Sequence, residues 1–525
     1  GELSIFIITG VFIGLQRTSI SSIAVSFFSI TNILFSVVFV IYFNLDVQGV
    51  ALGTVISSTL TAIIFLTYTF YELQKFTSIK RATVSDMEMA IKAARMSFDN
   101  GSWSNMAPTQ RKKVLHKLAD LIERDALELT VLGVRDNGTE INMAINAEAG
   151  SAAGTFRYYA ECIDKVYGEI APTANDVLGL IYKEPVGVVG AIVPWNFPLM
   201  IGAWKIAPAL AAGNSIVLKP AETASLSLLK LAELAAEAGV PDGVLNVVTG
   251  QGSVVGKAMG LSMEVDVLAF TGSGPTGRRL LEYSSQSNMK RCYLELGGKS
   301  PNIIFSDAPS LEQAAKVSAM AIFRNSGQVC VAASRLIIED SIHDDFIKSV
   351  IENAEELQVG NPLDITSDIG AINSETQLSS NLQFVDIAKT EGSQIAIGGH
   401  QILKNTGGYY MEPTVVTNVK PNSTLFKEEV FGPVLAVSRF KTEEEAVKLA
   451  NGTEFGLSAG IWTSNLAKAH KMVSKVKAGV VNVNTYGGAD VTVPLSGVKQ
   501  SGNGSDKSLH ALDKYINLKT AWIQL

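Results

Sequence analysis

Apolar positions are distributed along this chain in two different ways. Over Leu3–Leu15, Ile20–Phe43 and Val47–Tyr71 they run almost without charge, broken by Arg17 and Asp46. The second and third runs are long enough to cross a bilayer as helices, and the first is shorter. A cleaved signal peptide would be a single run with a basic start, which this is not. If all three runs span, Arg17 and the cluster Lys75, Lys80, Arg81 share one side, and the positive-inside rule puts everything after Lys75 in the cytoplasm. The expectation for residues 1–75 is therefore about three apolar, transmembrane-like helices.

From Ala82 the pattern becomes periodic. Ser85 and Glu88 read as a capping box, followed at helical spacing by Met87, Ala90, Ile91, Ala94 and Phe98. A second amphipathic helix is predicted from Pro108 to Leu127. Short apolar strands then alternate with helices, at Gly187–Val193, Ser215–Leu218, Val244–Val248, Val265–Phe270 and Asn302–Phe305. The helix Ser225–Glu237 stops at Gly239 with Pro241 beyond it. Such alternation predicts a mainly parallel, doubly wound α/β sheet that binds ligands at the carboxyl ends of its strands.

A length of 525 residues allows about three domains. The net charge of -7 and the scattered lysines and arginines argue against a nucleic-acid partner. Cys162, Cys292 and Cys330 form no CxxC pair and are odd in number, which fits free thiols in a reducing compartment. The five histidines stand singly, without metal-ligand spacing, so no metal is expected.

Candidate chemistry begins at Asn325–Arg335, where Cys330 lies between Val329 and Val331 just after Ser326-Gly327. A lone cysteine is more often a packed small hydrophobe than a nucleophile. Gly272-Ser273-Gly274-Pro275-Thr276-Gly277 matches G-x-G-x-x-G between a strand and a helix, where backbone N–H groups can face a phosphate. A plain tight turn satisfies the same letters. Asn196 could equally cap a turn, Glu295 could be a solvated loop carboxylate and Lys219 an exposed strand-end lysine.

Six motifs in order change these odds: P-W-N-F-P at Pro194–Pro198, L-K-P-A-E at Leu218–Glu222, F-T-G-S at Phe270–Ser273, L-E-L-G-G-K-S-P-N at Leu294–Asn302, G-Q-V-C at Gly327–Cys330 and E-E-V-F-G-P-V at Glu428–Val434. With them, Val84–Leu525 resembles the NAD(P)-dependent aldehyde dehydrogenases. Ser287–Arg291, Asp490–Pro494 and Lys499–Leu512 look most like the γ-glutamyl-γ-aminobutyraldehyde dehydrogenases of putrescine breakdown. Separately, Gly10–Thr18 and Val47–Ser57 resemble internal helices of multidrug and toxin extrusion transporters. That segment reads as a fragment or an accidental join of two reading frames, or else as a membrane anchor.

The resemblance implies a Rossmann-type NAD-binding domain over 76–160 and 183–297, and a catalytic α/β domain over 298–494. It also implies an oligomerisation segment over 161–182 and 495–525, and hence a homodimer or homotetramer. It assigns Cys330 as the thiolate that attacks a small aldehyde, Asn196 and the Cys330 N–H as donors to the alkoxide, and Glu295 as the base that activates water. Lys219 and Glu222 would hold the adenine-side ribose of NAD, the carboxylate disfavouring NADP without excluding it. Trp195, Gly272, Ser273, Glu429 and Phe431 would complete the cofactor site. Met200, Trp204, Val329, Val331, Asp490 and Leu495 would line the substrate pocket, with Asp490 also readable as a turn aspartate. Lys299 belongs to a motif but receives no chemical step. An ω-amino or acylamino aldehyde is the expected substrate, and acyl transfer to coenzyme A is the alternative that Glu295 argues against.

The chain departs from the family pattern in four places. The apolar run stands where an N-terminal β-hairpin is usual, which would leave edge strands of the cofactor domain unpaired. Val134–Ala153 is irregular, Leu495 replaces an aromatic pocket wall, and Ser505 replaces an arginine.

Overall fold

The computed structural model describes residues 79–525 apart from Ala489, together with Ser29, 32–38, 50, 52, 54–57, 59 and 60. Arg81–Asp120 and Thr130–Leu525 form one compact unit, and Gly1–Lys80 with Leu121–Leu129 form another. In the latter, Asn32 Oδ1 accepts the hydroxyls of Ser36 and Thr54 at 3.0 and 3.1 Å. The apolar helices expected over 1–75 fall mostly outside the described residues, and among those described no helix is long and apolar enough to cross a membrane.

The first helix of the larger unit, Val84–Asp99, is capped one turn position earlier than the sequence suggested. Thr83 Oγ1 accepts the Asp86 N–H at 3.3 Å, and Asp86 Oδ2 accepts the Thr83 N–H at 2.7 Å. The buried stripe Met87, Ile91, Ala94 sets the helix phase, and Thr83 is the residue left extended ahead of it.

Three sheets organise the rest. β1 (Glu169–Ala171), β2 (Val177–Pro185) and β19 (Ile516–Gln524) make an antiparallel ribbon in the order β1-β2-β19. The cofactor-side sheet is wholly parallel and contains β3 (Val188–Ile192), β4 (Ser215–Lys219), β5 (Leu245–Val247), β6 (Val267–Thr271) and β7 (Arg291–Glu295). Its order is β5-β4-β3-β6-β7, so the winding reverses at β3 and opens a crevice beyond that strand. Every residue of β3, β4 and β6 is buried, which is why these segments read as continuous apolar runs instead of alternating ones. The outer edge of β5 has no partner strand among the described residues; beside it the Ala82 N–H donates to the Thr249 carbonyl at 2.9 Å.

The largest sheet contains β8 (Pro301–Ile304), β9 (Arg335–Glu339), β10 (Gln394–Ile397), β13 (Thr414–Thr417), β14 (Val434–Phe440), β15 (Ser458–Trp462) and β16 (Val480–Val483). Its order is β10-β13-β14-β9-β8-β15-β16, parallel except at β10. Two short hairpins complete the set, β11 (Gln401–Ile402) with β12 (Tyr410–Met411) and β17 (Leu495–Ser496) with β18 (Ser505–Asp506). Arg335 at the start of β9 is fully buried and spends its guanidinium on the carbonyls of Lys299, Leu449 and Ala450 at 2.7–2.8 Å. It ties the strand entry to the loop that carries Lys299.

Candidate active site

Cys330 owes its position to a strained turn. After the helix Leu311–Phe323, Asn325, Ser326 and Gly327 take φ values of 49, 52 and 70° in succession. A non-glycine residue in this region costs roughly 1–2 kcal/mol, so neighbours must hold it there. They do: the Thr139 hydroxyl donates to Asn325 Oδ1 at 2.8 Å, Glu140 Oε1 accepts the Asn325 N–H at 3.0 Å, and Ser326 Oγ donates to the Gly370 carbonyl at 2.9 Å. At Gly327 an added Cβ would lie 2.1 Å from the Gly432 carbonyl oxygen, so only glycine fits. The reversed chain then meets the loop after β3, where Asn196 Nδ2 donates to the Gln328 carbonyl at 2.9 Å. Asn137 Nδ2 in turn donates to the Asn196 carbonyl at 3.3 Å.

Two cavities meet at Cys330. One, of about 290 Å³, is lined by Trp195, Asn196, Thr271, Gly272, Glu429 and Phe431. It continues past Trp195 and Ser273 into a cleft of about 640 Å³ at the carboxyl ends of β3, β4 and β6, which reaches Lys219 and Glu222. The other, of about 220 Å³, lies among Met200, Trp204, Val329, Val331 and Leu495. Phe431, itself at φ 56°, packs edge-on to Trp195 with centroids 5.3 Å apart. At the far end Lys219 Nζ donates to the Pro220 carbonyl at 2.8 Å, and Glu222 Oε1 accepts the Gly252 N–H at 2.9 Å.

Burial pushes the Cys330 thiol up to about 12, and the nearby carboxylates Glu429 and Glu295 push the same way; the N–H groups of Val331 and Cys330 offset part of the rise. The side chain of Glu295 is buried at the end of β7, and neither of its oxygens has a hydrogen-bond partner. Its carboxylate lines neither cavity at Cys330 but stands near a buried charge cluster, in which Asp506 accepts from Lys205 at 2.6 Å and from Lys514 at 2.5 Å. Burial raises its pKa well above the carboxylate range; Asp506 adds to the rise, while Lys205 and Lys514 oppose it. Glu429 accepts the Gly298 N–H at 2.8 Å and is raised by burial to about 7. Lys299 Nζ is buried without an acceptor, and burial next to Arg335 lowers it to about 7.

Residues 67–521 match the profile of the aldehyde dehydrogenase family. The chain belongs to that family. It is 49% identical over 447 residues to the NADP/NAD-dependent aldehyde dehydrogenase PuuC of Escherichia coli (strain K12), covering 85% of this chain and 90% of that protein. The solved γ-glutamyl-γ-aminobutyraldehyde dehydrogenase of Burkholderia cenocepacia J2315 superposes with a TM-score of 0.84 at 46% identity, over 85% of this chain and 90% of that one. A solved indole-3-acetaldehyde dehydrogenase complexed with NAD+ superposes with the same TM-score of 0.84 at 48% identity and the same coverage. None of these matches supports the transporter resemblance of residues 1–75 or a membrane anchor there.

Most site residues expected of an aldehyde dehydrogenase do gather around Cys330 or along the adjoining cleft. Asp490 does not. It is exposed, its Oδ1 accepts the Thr492 N–H at 2.8 Å, and it lies outside the substrate cavity, so it shapes its own turn. Asn137, Thr139, Glu140 and Glu148 all support the site yet lie in the stretch that looked irregular for the family. The polar run Asp136-Asn137-Gly138-Thr139-Glu140 at the end of a helix was their available signal.

Proposed function

We propose that this aldehyde dehydrogenase oxidises an ω-amino or γ-glutamylamino aldehyde to its carboxylic acid, with NAD as cofactor and Cys330 as nucleophile. The observation that carries the reading is that one sulfur forms a wall of both the cofactor-side cavity and the substrate cavity, beside Asn196.

The cleft suits a dinucleotide. It ends on a buried lysine, it passes the uncapped N-terminus of the helix Gly274–Ser285, and the Thr271 hydroxyl on its wall is buried without a partner. Lys219 and Glu222 would hold the adenosine ribose, with the Glu222 carboxylate favouring a free 2′-hydroxyl over a phosphate. Ser273 would meet the pyrophosphate, and Glu429 and Phe431 the nicotinamide ribose. When bound, NAD supplies the hydride acceptor. The chain's own part is to add the Cys330 sulfur to the carbonyl carbon and to donate hydrogen bonds to the resulting alkoxide from Asn196 Nδ2 and the Cys330 N–H. Cys330 then carries the acyl group as a thioester, and Glu295 takes a proton from the water that releases it. The exposed Leu518, Trp522 and Ile523 on β19 support assembly into a homo-oligomer.

Steady-state NAD reduction by the full chain with a γ-glutamylamino aldehyde, an ω-aminoaldehyde and a plain alkanal tests the proposal. Turnover without added coenzyme A is the expected result. No reduction with any aldehyde would end this reading, and a strict need for coenzyme A would replace it with acyl transfer.

A further inference from the structure

The substrate cavity is mostly apolar, yet the two charged residues on its wall, Arg324 and Lys507, are both cations, and no carboxylate lines it. Arg324 follows the helix Leu311–Phe323 directly, just ahead of the left-handed turn that aims Cys330. Arginine at a helix end often satisfies the last carbonyls. Here the side chain makes no hydrogen bond or ion pair among the described residues, and its buried Nε lacks an acceptor. The guanidinium lies against Gly487, at φ +76°, where an added Cβ would come within 2.8 Å of Nη2. The carboxylate that acts on it through space is Glu140, whose Oε1 already holds the Asn325 N–H.

Lys507 approaches the same cavity from the other side, its Nζ 5.7 Å from the Trp204 ring centroid. It occupies a left-handed pair with Ser508, at φ 64 and 51°. The neighbouring Asp506 is engaged by Lys205 and Lys514, and Asp490 by its own turn. Two cations facing one desolvated cavity repel each other until an anion enters. A planar guanidinium with N–H groups to spare matches a carboxylate through two parallel hydrogen bonds.

The geometry points to Arg324, seconded by Lys507, as the receptor for a carboxylate that the aldehyde carries at the end remote from its carbonyl. This inference rests on the oxidation proposed above and sharpens it. Aldehydes bearing a carboxylate, the γ-glutamylamino class among them, are taken in preference to those ending in a bare ammonium, which the two cations repel.

The test compares kcat/KM of the full chain for succinic semialdehyde, butanal and 3-aminopropanal with NAD. The wild type should prefer succinic semialdehyde to 3-aminopropanal. The ratio of succinic semialdehyde to butanal should fall at least about tenfold in Arg324→Met, and less in Arg324→Lys. A ratio within about threefold of wild type in Arg324→Met, or a wild-type preference for the ammonium aldehyde, would overturn it. If no aldehyde is oxidised, the catalytic reading is what fails, and calorimetric binding of glutarate decides the receptor separately. Glutarate affinity should drop at least about tenfold in Arg324→Met, and equal affinity in the two proteins would overturn the assignment.

Discussion

Asn196 holds Gln328: its Nδ2 donates to the Gln328 carbonyl at 2.9 Å, two residues before the sulfur of Cys330. One N–H of that amide is therefore used to join the loop after β3 to the left-handed turn, and its other N–H remains for an alkoxide. Asn196→Ala removes both. The expected outcome is a kcat lower by about 10²–10³-fold with NAD affinity retained, measured by steady-state kinetics and cofactor titration.

Glu295 should act after the sulfur does. Glu295→Gln keeps the size of the side chain but cannot accept a proton from water. Rapid mixing with aldehyde and NAD is expected to show a burst of about one NADH per site, then a steady rate slower by at least about 100-fold. Loss of the burst together with the steady rate would place Glu295 in the earlier chemistry instead.

The cofactor-free thiol should behave as a weak acid. With its pKa pushed to about 12 by burial and by Glu429 and Glu295, Cys330 is almost wholly protonated at neutral pH, and its thiolate fraction grows as pH rises. Alkylation of Cys330 by iodoacetamide, followed by peptide mass spectrometry, should accelerate about tenfold per pH unit between about pH 6 and 9. A plateau within that range would show a lower pKa.

Glu148 makes the fold sensitive to alkali. Its Oε2 accepts the Met200 N–H at 2.7 Å and so caps the helix Pro198–Ala212, whose N-cap Phe197 offers no side-chain acceptor. Burial raises this carboxyl from 4.5 to about 8. Because the folded pKa lies above the unfolded one, the stability it contributes is fully present below about pH 4.5 and is lost as pH climbs towards 8. The difference of 3.5 units between those two values corresponds to an upper bound of about 5 kcal/mol. Glu148→Gln keeps an acceptor for the Met200 N–H and cannot ionise. Its Tm should exceed that of the wild type at pH 8, and the gap should close by pH 5, as read by scanning calorimetry.

Much of this protein was legible in one dimension. The strands β3, β4 and β6 announced themselves because both their faces are buried, and burial on both faces forces an uninterrupted apolar run. Cys330, Asn196, Glu295, Lys219 and Glu222 were legible because each lies inside a short contiguous motif, so their roles travel with neighbouring letters. Asp490 misled for the converse reason: a turn aspartate and a ligand aspartate look alike until the N–H it accepts, that of Thr492, is known. Only the folded chain could bring Thr139 and Glu140 to Asn325, roughly 185 residues away, because a strained turn is paid for by partners the sequence does not keep beside it. The same holds for Arg324 and Lys507. They are far apart in the chain and unremarkable singly, and they gain meaning only as the two cations facing one cavity.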